Sequence, residues 1–98
     1  MARMLTHIAG VNHRPGAREH IPKLLDGEGL TLVREPRNRF DRNAVAVYDG
    51  RLQLGYVPAV DAPAVARALD SNVPISCRVN RGEGGLIYYG IEITWDSQ

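Results

Sequence analysis

Ninety-eight residues make one domain with a radius of gyration near ~13 Å and one modest core, and they leave no room for two catalytic lobes. The composition is 44% hydrophobic and 23% charged, with no apolar run long enough to span a membrane and no hydrophobic leader in MARMLTHIAG, so an intracellular protein without membrane contact is expected. Net charge is only +1, but residues 1–51 carry nine basic and six acidic side chains against three and five in residues 52–98, which places the positive surface in the first half. Eleven of the twelve basic residues are Arg, whose planar fork grips phosphate bidentately or lies flat on a base. A GC-rich coding sequence produces the same bias without function.

The chain opens on a strand signal. Residues 4–12, MLTHIAGVN, are apolar enough on both alternating faces to predict a strand at least partly covered twice. NHRPG at 12–16 supplies turn chemistry, and residues 17–29 read as a loop with one helical turn near Pro22. Leu30 to Arg34 is predicted as a strand and Arg34 to Asn43 as a loop. Ala44–Tyr48, Asp49-Gly50 and Arg51–Val57 predict a hairpin on a type I′ turn.

Residues 61–70, DAPAVARALD, are the one predicted helix. Asp61 would be its N-cap, Pro63 sits in the first turn, and Ala62, Val65, Ala66 and Leu69 repeat at helical spacing. A strand over Ile75–Asn80, a glycine-rich turn over Arg81–Gly85 and a strand over Leu86–Trp95 complete the chain. Six short strands and one short helix imply an antiparallel sheet that curls to hide its edges, a small mainly β barrel plugged by the helix. Tyr88 and Tyr89, adjacent on a strand, would face opposite sides, one in the core and one free to stack on a base. Trp95 would cover the barrel end, and Tyr48 would pack across the hairpin.

Catalysis finds little support. His7, His13 and His20 match no zinc spacing, no nucleophile or phosphate-loop motif occurs, and RGEGG at 81–85 is a hairpin turn because no helix follows it. No enzyme, metal or cofactor is expected. Cys77, the single cysteine, excludes an internal disulfide and reads as a small buried hydrophobe.

REPRNRFDRNA at 34–44 differs from every other segment. Four Arg, two Asn, one aromatic and one Asp are too polar to be core. Arg and Asn suit phosphates or base edges, Phe40 a stacked base, and Asp41 a hydroxyl. Spacing alone equally allows an Asx-type turn, with Asp41 and Asn43 bonded to backbone amides and the arginines merely solvated.

Gly10 to Gly16, the strand running into REPRNRFDRNAVAV, and LGYVP at 54–58 followed by a helix together resemble the HIRAN domain, over roughly residues 5–80. The most specific matches are Arg34-Glu35-Pro36, Asn38, Asp41 with Asn43-Ala44-Val45, and Leu54 to Pro58. The resemblance implies a modified OB-like barrel. It also implies a single HIRAN-like domain over 1–98, of a family found alone in bacteria and phages and fused to helicases and nucleases in DNA repair. The implied function is binding of single-stranded DNA, including its 3′ end, beside a helicase or nuclease partner; the alternative is a protein-interaction module that docks one.

Carried over by position, Asp41 would meet the 3′ hydroxyl. Phe40 and His13 would stack on terminal bases, and Asn38 would touch the strand backbone. Asn12 and Tyr56 stand where helicase members use Arg and His on phosphates, and Ala59 where they carry Lys. Arg14, Arg37, Arg39 and Arg42 would then supply the missing charge by a different geometry.

Overall fold

In the computed structural model, described over residues 1–85 and 87–96, the predicted strands appear as one antiparallel ladder. They are β1 (Ala2–His7), β2 (Gly29–Arg34), β3 (Val45–Asp49), β4 (Leu52–Tyr56), β5 (Ile75–Val79) and β6 (Gly90–Trp95), in the spatial order β1-β6-β5-β2-β3-β4. The sheet curls until its two edges approach, and one bridge joins them. The Ala9 N–H donates to the Tyr56 carbonyl (2.7 Å), and the Tyr56 N–H donates to the Ala9 carbonyl (2.9 Å). Gly55 makes that approach feasible, because a Cβ there would stand 2.3 Å from the Ala9 carbonyl oxygen.

The sheet turns one face to the core, most plainly at β2. Along β2, Leu30 and Leu32 turn inward while Thr31 and Val33 are exposed. Val45, Val47, Leu54, Ile91 and Ile93 are sealed inside with Ile21 and with Val65 and Ala66 from the second helix. Cys77 is buried among them, and burial pushes its thiol up to about 12, so it packs as an apolar residue. No helix among the described residues is long and apolar enough to cross a membrane.

Several local expectations change. Among the described residues there are two α-helices: α1 (Ala17–His20), followed by a 3₁₀ turn over Ile21–Lys23, and α2 (Ala62–Asp70). A single four-residue turn is too short to announce itself by periodicity. The strand predicted over residues 4–12 ends at His7, and its outer face is open, with Leu5 60% exposed. The hairpin forms, but Gly50 and Arg51 are its central residues; only Gly50 has positive φ (58°), so the turn is not type I′, and a register shift at Val47/Tyr48 absorbs the extra residue. Asp61 does not cap α2 with its side chain; its carboxylate accepts from Thr6 Oγ1 at 2.7 Å, which ties the helix start to β1. Tyr88 and Tyr89 precede β6, so strand alternation does not govern them, and their rings lie side by side with centroids 4.8 Å apart. Leu86, the predicted start of that strand, lies outside the described residues.

The outer face carries one buried acid. Glu92 of β6, its side chain 2% exposed, lies between Arg3 of β1 and Arg78 of β5; Arg3 donates through Nε and Arg78 at 2.6 Å. Register places Arg78 directly opposite Glu92 and Arg3 on the diagonal. The hydrogen bond from Arg3, then that from Arg78, hold the Glu92 carboxyl below the usual carboxylate range.

Candidate functional site

The bridge that joins the sheet edges also forms the floor of a cleft of about 540 Å³, lined from one side by Ala9, Gly10 and Arg14 and from the other by residues 37–41. The second wall exists because of Arg34. Its position on β2 places the side chain on the inward face at the end of the barrel, 17% exposed. There Nε and Nη2 donate to the two carboxylate oxygens of Asp70 on α2 (3.0 and 3.2 Å), while Nη1 donates to the carbonyls of Arg42 and Ala44 (3.0 and 3.1 Å). One guanidinium thus fastens the returning end of the loop to both sheet and helix.

Inside the loop, Asn38 is the organiser. Its Oδ1 accepts from the Phe40 and Asp41 N–H groups (2.9 and 3.1 Å), and its Nδ2 donates to Glu35 Oε1 (3.0 Å). The polar groups predicted to touch a strand are therefore largely used to shape the loop. Asp41 Oδ1 accepts from the Asn43 N–H at 2.8 Å, an Asx turn in which Asn43 supplies its backbone amide. Asp41 Oδ2 has no hydrogen-bond partner among the described residues, and the half-buried carboxylate lines the cleft. Phe40 is turned outward by this arrangement and is 91% exposed, with the Arg39 guanidinium 5.8 Å from its ring centroid. An exposed ring at a cleft rim is positioned to stack on a flat ligand.

Sequence reasoning missed the link between the walls. The Tyr56 hydroxyl donates to Glu35 Oε1 (2.8 Å) and accepts from Arg14 Nη2 (3.2 Å), and the Arg14 guanidinium lies 5.3 Å from the Tyr56 ring centroid. Glu35 thus joins Asn38 in one wall to Arg14 in the other through Tyr56. Its signal was present in the Arg-Glu-Pro triplet, but nothing local indicates an acceptor for a residue 21 positions away. Arg14 Nε is buried without a hydrogen-bond partner among the described residues, a donor that costs free energy while unpaired.

Of the ten residues singled out in the sequence, the cleft brings together Arg14, Arg37, Asn38, Arg39, Phe40, Asp41 and Tyr56. Asn12 and His13, exposed on a 3₁₀ turn over Val11–His13, line adjoining hollows instead. Arg42 is exposed but lines no part of the cleft. Ala59 does line it. Neither Arg14, Arg37 nor Arg39 forms an ion pair among the described residues, so with Asp41 the lining carries a net charge of +2. Among the described residues no cluster of three or more His, Cys, Asp or Glu could hold a metal ion.

A curled six-strand sheet with a basic, aromatic-rimmed cleft at its seam defines an OB-like binding domain. The HIRAN domain profile matches residues 2–93, and the chain belongs to that family. The crystal structure of the HIRAN domain of human HLTF superposes with a TM-score of 0.74 at 22% identity, covering 96% of this chain and 74% of that one. A protein from Lactobacillus plantarum, also a crystal structure, gives 0.70 at 17% identity, covering 94% and 98%. The NMR structure of the HLTF HIRAN domain in its DNA-bound conformation gives 0.63 at 21% identity, covering 97% and 75%. No curated protein matches the chain at a significant level.

Proposed function

We propose that this chain binds single-stranded DNA in the cleft at the sheet seam, with the 3′ end of the strand seated at Asp41, in the setting of DNA repair or of a replication fork. The observation that carries the reading is the open lining itself: three guanidiniums free of carboxylate partners beside a phenyl ring 91% exposed. Guanidiniums neutralise phosphates and a projecting ring stacks on a base whatever its identity, which is the chemistry of unpaired strands. An ionised carboxylate only accepts, so Asp41 Oδ2 suits a terminal hydroxyl and repels a phosphodiester. Family membership and the DNA-bound state of the HLTF domain support the same direction. A helicase or nuclease would be the natural companion of such a module.

The test is a titration of labelled single strands ending in a free 3′ hydroxyl or a 3′ phosphate. Wild type should prefer the hydroxyl, and Asp41→Ala should bind both ends equally. Wild type binding both ends alike would remove end recognition, and no binding of either would remove the DNA reading, leaving the docking of a protein partner.

A further inference from the structure

The surface does not flatten beyond the cleft. A depression of about 410 Å³ opens on the far side of the Ala9-Gly10 backbone, and these two residues line both hollows. Its walls are His7 at the end of β1, Asn12 and His13 from the 3₁₀ turn, and Tyr89 from the segment before β6. His7, Asn12 and His13 are exposed, and Tyr89 is half-buried against the core. The chain holds eleven Asp and Glu, yet none lines this depression. It therefore offers flat rings for bases, amide and imidazole N–H groups for phosphate oxygens, and no carboxylate to repel a polyanion. The saddle between the two hollows is unobstructed: Gly10 has φ 72°, and a Cβ built there would meet nothing within 4 Å.

We infer that the depression is a second nucleotide subsite, which takes the nucleotides on the 5′ side of those in the cleft as one strand crosses the Gly10 saddle. This rests on the cleft being the single-strand site. Tyr89 and His13 supply the stacking surface, and His7 and Asn12 supply donors to the backbone. Strand length separates the two subsites, because a trinucleotide satisfies the cleft first and a decamer reaches both.

Anisotropy titrations with a trinucleotide and a decamer test this, using wild type, His7→Ala, Tyr89→Ala, Tyr89→Phe and Val60→Glu; Val60 is 86% exposed, follows Ala59 of the cleft lining and does not line the depression. His7→Ala and Tyr89→Ala should each weaken the decamer about fivefold or more, the loss expected from one stacked or contacted nucleotide, and leave the trinucleotide unchanged. Tyr89→Phe should retain wild-type binding of both. His7 is exposed, so its variant stays informative if Tyr89→Ala fails to fold. Equal losses for both lengths, no loss for either, or a length-dependent loss confined to Val60→Glu would overturn the subsite. Failure of wild type to bind the trinucleotide, together with an intact decamer affinity in Phe40→Ala, would instead overturn the cleft reading.

Discussion

Two groups of arginines, one on the outer face of the sheet and one at its seam, differ in their surroundings. On the outer face, Arg3 and Arg78 are each 61% exposed, yet both spend donors on the buried Glu92, which cancels part of their charge and fixes their direction. At the seam, Arg14, Arg37 and Arg39 have no carboxylate partner among the described residues, and Arg14 even buries a donor without an acceptor. Accessibility alone does not separate the two groups, since Arg37 and Arg39 are exposed as well. The difference teaches that a guanidinium is available for a ligand when the fold leaves its donors unclaimed, not simply when it is wet.

The cleft should lose the most when its aromatic rim is removed. Phe40→Ala is expected to weaken single-strand binding by about five- to 150-fold, the range for one stacked base, with almost no change in Tm because the ring packs on little. Calorimetric melting alongside the titration checks both halves, and a large fall in Tm would mean the ring is structural. The arginine contrast is sharpened by two double variants. If the cleft neutralises three phosphates, wild-type affinity should fall about twentyfold between 50 and 200 mM salt, and Arg37→Ala with Arg39→Ala should cut that to about threefold. Arg3→Ala with Arg78→Ala should leave the twentyfold dependence intact while lowering Tm. Equal flattening by both pairs would erase the distinction between the two faces.

The smallest effect is confined to acid. Because Glu92 is held below its ordinary value of 4.5 in the folded chain, its contribution is fully present above the unfolded value and disappears as pH falls through the lower native one. Urea denaturation should therefore give a stability gap between wild type and Glu92→Gln that is constant from neutrality to about pH 5 and narrows below it. A gap that widens in acid would reverse the assigned direction.

Much of this arrangement was legible in the residues. Apolar alternation set the strands, and α2 appeared because nine residues complete enough turns to show a face. A loop as polar as 34–44, holding one aromatic, had to lie outside the core, and it does. What the chain concealed depended on distant partners. Arg34 and Arg37 look alike in sequence, but Arg34 is consumed by Asp70, 36 positions away, and by two loop carbonyls. Of the two readings of the loop, the Asx-type turn is present at Asp41, and Asn38 also bonds backbone amides, while both residues line the cleft. Tyr89 packs against the core and Tyr88 is exposed, the division expected for the pair, but strand alternation is not its cause, because strand geometry begins only at Gly90, where a Cβ would stand 2.0 Å from the Asn80 carbonyl oxygen.

Tyr56 serves two masters. Its backbone fastens the two edges of the sheet to each other, and its side chain braces the walls where a guest would lie. Occupancy and barrel integrity therefore share one residue: a guest that pulls Arg14 and the 34–44 segment together tightens the same clasp that keeps the cylinder shut, and anything that springs the clasp spoils the berth.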